Sequence, residues 1–204
     1  LDLAGLVDLS RSASFVPGDD SLTANFFPTR HPISDYNGHG TNVATQVSSN
    51  AVLFAGVWSH TTLIGVKVLG AGGSGSLGGV LFGLLWAADH DADVINMSLG
   101  AYRLKAGGGG QLQSILNSVF SYVNRAGALV VVSAGNESVD LDHGLFPDPE
   151  TGAIVRVPSL EADYCTATHV ICVSSVGPVV AGGRHSVFQR RVVSWCRPGT
   201  RCRG

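Results

Sequence analysis

Apolar positions in this chain fall in short runs set off by glycine and polar stretches, and their spacing changes from run to run. Thr62-Leu63-Ile64-Gly65-Val66-Lys67-Val68-Leu69 is apolar and β-branched and ends at glycines. That pattern predicts a buried parallel strand. A glycine-rich loop follows from Gly70 to Gly79, and Val80 to Ala88 then predicts a helix that is apolar on most faces. Asp93 to Gly100 predicts the next strand and its exit turn. Leu112, Ile115, Leu116, Val119, Phe120 and Val123 keep helical spacing. Ala128 to Ser133 and Val170 to Ser174 predict two further strands. Earlier in the chain, Thr41 stands ahead of Val43, Ala44 and Val47 and predicts the cap of a helix. Val139 to Ala162 is polar, proline-bearing and weakly periodic, and reads as a long surface loop. Alternating strands and helices imply an α/β fold, a parallel sheet with helices on both faces.

Composition changes this picture only in places. A chain of 204 residues supports one well-cored domain, and 45% hydrophobic residues with 27 glycines fit a globular protein with tight turns. A net charge of −2 makes no case for nucleic-acid binding. No apolar run reaches the ~20 residues of a membrane helix. The start, Leu1-Asp2-Leu3-Ala4-Gly5, has neither an initiator Met nor the basic region of a signal peptide, so the chain is expected to begin inside a longer protein. Residues 1–183 hold all 15 acids and seven bases, whereas residues 184–204 hold six arginines and no acid. A basic interaction arm fits that tail. Text rich in Arg, Cys, Trp, Gly and Pro also fits coding sequence read out of frame, the favoured expectation, with frame loss near His185. Cys165 and Cys172 are close enough in sequence to bridge adjacent segments, and Cys196 and Cys202 lie in the tail. Four cysteines allow three pairings, and sequence does not choose among them.

Candidate chemistry sits at the ends of the elements. Asn37-Gly38-His39-Gly40-Thr41-Asn42-Val43-Ala44 places one histidine between two glycines where a loop turns into a helix. Small neighbours leave the ring open to substrate, and histidine is the side chain suited to proton transfer near neutral pH. A lone histidine in a turn is commonly structural, so its companions decide. Asn96 and Ser98 are polar in the middle of an otherwise buried strand pattern, and Asn136 ends the strand before it in Ser133-Ala134-Gly135-Asn136. A Gly-Asn turn is common, but the carboxyl end of a parallel strand is where α/β sites gather. Gly70-Ala71-Gly72-Gly73-Ser74-Gly75 also spells the G-x-G-x-x-G of a dinucleotide-binding loop. That alternative puts Asp89 and Asp91 at the end of a helix rather than of a second strand, and leaves His39, Ser98 and Asn136 without roles. His31, His39, His60 and His90 are scattered without metal-ligand spacing.

From about Leu1 to about Val176 these segments resemble the subtilisin-like serine proteases. The match runs in order: the histidine motif, Val66-Lys67-Val68-Leu69, Gly73-Ser74-Gly75, Val94-Ile95-Asn96-Met97-Ser98-Leu99-Gly100, Ser133-Ala134-Gly135-Asn136, and the Val170-Ile171 strand. The resemblance implies a three-layer fold with a central, mainly parallel sheet, incomplete at both ends. It implies that His39 is a general base and that Asn136 donates its side-chain N–H to an oxyanion. It further implies that Ser98-Leu99-Gly100 line a side-chain pocket and that Gly73-Ser74-Gly75 pair with an extended polypeptide substrate. A secreted monomer without a cofactor is expected. Structural calcium occurs in the family, but Ser48 to Gly56, where one such loop would fall, has no acid.

Two family motifs have no match. Asp2-Leu3-Ala4-Gly5 resembles the D-L-A-G that follows the catalytic aspartate strand, so that aspartate would fall before Leu1. Asp8 is a substitute without the glycine that should follow it. The nucleophile motif G-T-S-M-A-x-P does not occur, and Gly199-Thr200-Arg201 supplies only its first two residues. Residues 1–183 are thus expected to be a partial peptidase domain, inactive alone. A non-catalytic peptide-binding remnant is the alternative.

Overall fold

The computed structural model describes residues 2–51, 55–58, 60–104, 109–136, 144–148, 151–157 and 160–174. The Arg- and Cys-rich tail, with Cys196 and Cys202, lies outside the described residues. The chain forms two units, 1–92 and 93–204, and each is described by itself.

The first unit contains β1 (Ala13–Ser14), α1 (Pro17–Phe26), α2 (His39–Val47), β2 (Val66–Lys67) and α3 (Leu77–Asp89). β1 and β2 pair in parallel, Ala13 with Val66 and Ser14 with Lys67, and a parallel bridge joins Val7 to Leu63. The strand expected over residues 62–69 is therefore only two residues long, and its residues are half-buried. α1 has no apolar stripe and escaped the periodicity reading. Pro17 at its first turn and the acids Asp19 and Asp20 beside its N-terminus are what favour it. α3 starts at Ser76, whose hydroxyl accepts from the Gly79 N–H at 3.0 Å. It packs on β2 through Gly83, where a Cβ would stand 2.6 Å from a Val68 methyl carbon and 3.0 Å from one of Val66. Trp86 locks the other side of the helix. Its indole N–H donates to the Arg11 carbonyl at 2.8 Å, and its ring stacks on His90 at 3.8 Å.

The second unit contains β3 (Val94–Met97), β4 (Tyr102–Leu104), α4 (Gly109–Arg125), β5 (Leu129–Ser133), β6 (Leu145–Pro147), β7 (Ile154–Arg156), β8 (Leu160–Ala162) and β9 (Val170–Val173). Its centre is a parallel sheet in the order β3-β5-β9. α4 covers one face with Leu116, Phe120 and Val123, all at 0% exposure, against Val130 at 0% and Val132 at 1%. Leu129, by contrast, is 41% exposed, so the apolar run of β5 is buried on alternate positions rather than throughout. The expected long surface loop over Val139 to Ala162 is corrected. β6 and β7 form an antiparallel hairpin, and β8 pairs antiparallel with β4. Periodicity cannot register strands of three residues whose partner lies far along the chain.

The core of the second unit sets a stability test. Phe120→Ala removes a fully buried ring, and a loss of about 3–5 kcal/mol of unfolding free energy is expected. Urea denaturation followed by circular dichroism measures it.

Candidate active site

Of the two glycines flanking His39, Gly38 shapes the backbone. Gly38 holds φ 93°, a left-handed geometry that glycine adopts without strain, and it is the residue from which α2 departs. His39 is thereby the first residue of the helix and is exposed. The predicted cap at Thr41 is corrected, because Thr41 lies inside the first turn. The capping group is Asp35, four residues before the histidine. Its Oδ1 accepts from the N–H groups of Asn37 at 2.9 Å and Gly38 at 2.8 Å. Its Oδ2 accepts from the Thr41 N–H at 2.8 Å and the Thr41 hydroxyl at 2.7 Å. Partial burial alone would raise this carboxyl. The Thr41 and Gly38 N–H donors, the Thr41 hydroxyl and the Asn37 N–H outweigh burial and hold the pKa at about 2.

The same loop grips the glycine-rich turn. Asn37 Nδ2 donates to the Ala71 carbonyl at 3.0 Å. The turn closes on itself through Gly70 N–H to Ser74 O and Gly73 N–H to Gly70 O, each 2.9 Å. Gly73 has φ 76°, and a Cβ on Gly75 would stand 2.0 Å from the Val68 carbonyl oxygen. Those two positions therefore require glycine. Gly73, Ser74 and Gly75 are exposed. The Gly70 and Gly73 N–H groups and the Ser76 hydroxyl are thus already engaged within the turn and the start of α3.

Beneath α1, Lys67 makes a 2.8 Å ion pair with Asp19 and donates to the Ser34 carbonyl at 2.8 Å. Its ammonium also lies 4.7 Å from the centre of the Tyr36 ring. Lys67 thus ties β2, α1 and the approach to Asp35 together. Asp8 serves a turn of its own. Its carboxyl is lowered to about 2 by the Ser10 hydroxyl and the Arg11 guanidinium, with Nε of Arg11 at 2.8 Å.

In the second unit the register decides the site. Met97 of β3 lies opposite Val132 of β5, so the two strands end within one residue of each other. Ser98-Leu99-Gly100 and Ser133-Ala134-Gly135-Asn136 then leave the sheet side by side. They form the walls of a cleft of about 240 Å³, closed by Tyr102 and by Ala162 to Cys165. The Tyr102 hydroxyl donates to the Ala134 carbonyl at 3.2 Å, and the Asp163 N–H donates to the Ala101 carbonyl at 2.9 Å. A Cys165–Cys172 disulfide joins the cleft wall to β9. Burial, with the negative charge of Asp163 added to it, raises the Tyr164 hydroxyl. Ser98, Leu99, Gly100 and Asn136 are therefore at one cleft, while His39, Gly73, Ser74 and Gly75 belong to the first unit. Tyr102 and Ala162 to Cys165 gave no signal in the sequence, because they reach the cleft through the pairing of β4 with β8. Asp35 had one: an acid ahead of a Gly-rich helix start is a turn former.

Among the described residues no group of three His, Cys, Asp or Glu is placed to hold a metal ion, and no helix is long and apolar enough to cross a membrane. His31 accepts from the Ile33 N–H at 3.3 Å, and His60 lies 5.6 Å from the Trp58 ring.

Parallel strands that end at a cleft in one unit, and a glycine-flanked histidine opening a capped helix in the other, are features of an α/β protein. The model of the subtilase family matches residues 17–195, and the chain belongs to that family. Alkaline elastase YaB of a Bacillus strain is 40% identical over 126 residues, which is 61% of this chain and 28% of that protein. Subtilisin Savinase of Lederbergia lenta is 37% identical over 132 residues, 64% of this chain and 42% of that protein. In fold, the chain is similar to the epidermin leader peptide processing serine protease of Staphylococcus aureus. That comparison has a TM-score of 0.66 at 22% identity and covers 86% of this chain and 42% of that one. The chain spans less than half the length of these relatives.

The Asp35 cap gives a pH test. Its folded pKa lies below the ordinary 3.8, so its contribution is complete above that value and is lost as pH falls towards about 2. Asp35→Asn is expected to cost about 1 kcal/mol at neutral pH. The cost should shrink below about pH 4, measured as the difference in urea midpoint between the two proteins across that range.

Proposed function

We propose that this chain is part of a serine endopeptidase that cleaves peptide bonds through an acyl-enzyme. In this reading His39 is the general base, taking the proton of a serine nucleophile and returning it to the leaving amine. Asn136 donates its side-chain N–H to the oxyanion; a donor of this kind lowers the barrier by roughly 3–4 kcal/mol. Ser98, Leu99 and Gly100 receive the side chain before the scissile bond. The exposed Gly73-Ser74-Gly75 edge pairs with the extended polypeptide. The observation that carries this reading is the cleft built from the Ser98–Gly100 and Ser133–Asn136 turns at the ends of adjacent parallel strands. Family membership supports it. The Cys165–Cys172 disulfide supports an extracellular setting, where such bonds persist. We assign residues 1–183 to one partial peptidase domain acting as a monomer, and 184–204 to out-of-frame text, although the family match runs on to residue 195.

The 204 residues contain no G-T-S-M-A-x-P nucleophile motif, so this polypeptide alone is proposed to be inactive. A serine-directed fluorophosphonate should leave it unlabelled; covalent labelling of any serine sinks that part of the proposal. Coding sequence with its frame restored near codon 185 should yield S-N-x-G and then G-T-S-M-A. Its product should hydrolyse peptides, and His39→Ala should lower kcat by about 10⁴-fold or more. A restored product that binds extended peptides without turning them over would instead establish the non-catalytic remnant.

A further inference from the structure

Asn37-Gly38 is the one Asn-Gly step in the sequence. An asparagine side-chain amide is open to attack by the backbone nitrogen of the next residue. A following glycine, lacking Cβ, obstructs that attack least, and asparagine is among the heat-sensitive residues. The surroundings leave room for the reaction. Both residues are exposed, and a Cβ at Gly38 would meet no atom within 4 Å. Two hydrogen bonds oppose it. The attacking nitrogen is that of Gly38, whose N–H donates to Asp35 Oδ1 at 2.8 Å. The leaving nitrogen is Asn37 Nδ2, which donates to the Ala71 carbonyl at 3.0 Å. The Gly38 nitrogen must give up its proton to attack, and a carboxylate beside it disfavours the negative charge so formed. Partial burial raises the Asp35 carboxyl, but the Thr41 and Gly38 donors hold it at about 2, so it is ionised at neutral pH.

We propose that Asn37 is a deamidation site guarded by Asp35, and that its conversion releases the histidine loop from the glycine-rich turn. The Gly38 nitrogen bonds to Asn37 Cγ, the Cγ–Nδ2 bond breaks, and ammonia leaves with the Gly38 proton. The product is a cyclic succinimide. Water then opens the ring at Cγ to give aspartate, or at the backbone carbonyl carbon of residue 37 to give isoaspartate. Water is the only co-reactant, and nothing is oxidised or reduced. Either product puts a carboxylate oxygen, which cannot donate, where Nδ2 had faced the Ala71 carbonyl. It also sets a second negative charge beside Asp35. Isoaspartate further carries the backbone through the former side chain, one methylene longer, directly ahead of Gly38 and His39. The inference goes beyond the proposed function and stands without it, because it concerns the chain's own chemistry rather than a substrate.

The test is incubation of the chain at mildly alkaline pH, then peptide mapping by mass spectrometry. It reads the fraction of residue 37 converted, and fragmentation separates isoaspartate from aspartate. Conversion should be at least about tenfold faster in urea above the unfolding midpoint than in the native chain, because unfolding removes both bonds. Asp35→Asn, shown folded by circular dichroism, should convert severalfold faster than the unmodified chain. Asn37→Asp supplies the aspartyl product outright and should speed amide hydrogen exchange across residues 70–75. The comparison of native with unfolded chain needs no variant, so a variant that fails to fold leaves it standing. Equal rates in the two states, or no conversion at residue 37 in either, overturn the inference. A folded Asp35→Asn chain that converts no faster removes Asp35 as the guard. Unchanged exchange in Asn37→Asp removes the release of the loop.

Discussion

Everything proposed for the second unit depends on one register, the parallel pairing that sets Met97 of β3 opposite Val132 of β5. Because the two strands end within one residue of each other, their exit turns run together, and the Ser133 hydroxyl donates to the Leu99 carbonyl at 3.3 Å. A slip of one residue would turn Val130 and Val132 away from α4 and part the turns that form the cleft. The burial of Leu116, Phe120 and Val123 against β5 is thus what holds the cleft in shape. Apolar packing, which carries no chemical information, fixes the polar geometry at the edge of the sheet.

In the first unit the corresponding constraint is electrostatic. Four donors converge on one carboxylate, Asp35: two from Asn37 and Gly38 ahead of the histidine and two from Thr41 in the first turn of the helix. A helix start is otherwise rich in unsatisfied N–H groups, and a carboxylate both satisfies them and favours the helix dipole. Gly38 in the left-handed region lets the chain turn sharply enough for His39 to begin the helix. The Asn37 bond to Ala71 then couples this loop to the glycine-rich turn, so the position of the histidine and that of the exposed edge are not independent.

The cleft is walled largely by small and apolar residues. Small residues at Gly100, Ala101 and Ala134 make its room. Asp163, only 8% exposed, lines the same cleft. Its location is a product of strand pairing between β4 and β8, elements three residues long and more than fifty residues apart in the chain.

The sequence alone determined the parts whose signals are local. Helices α3 and α4 followed from apolar spacing, strands β3, β5 and β9 from β-branched runs, and the family from motifs whose order is preserved. His39, Ser98 and Asn136 stood out as candidates because glycines and polar residues interrupt the pattern at strand and helix ends. Tertiary structure decided the rest. The capping role of Asp35, rather than Thr41, needed the folded path of the loop. The hairpin and β8 within Val139 to Ala162 needed partners distant in sequence. Asp163 reads as an ordinary acid in a polar stretch until β8 carries it to the cleft. Local periodicity reports what a segment can become, whereas the meaning of a charge or a three-residue strand depends on what long-range pairing places beside it.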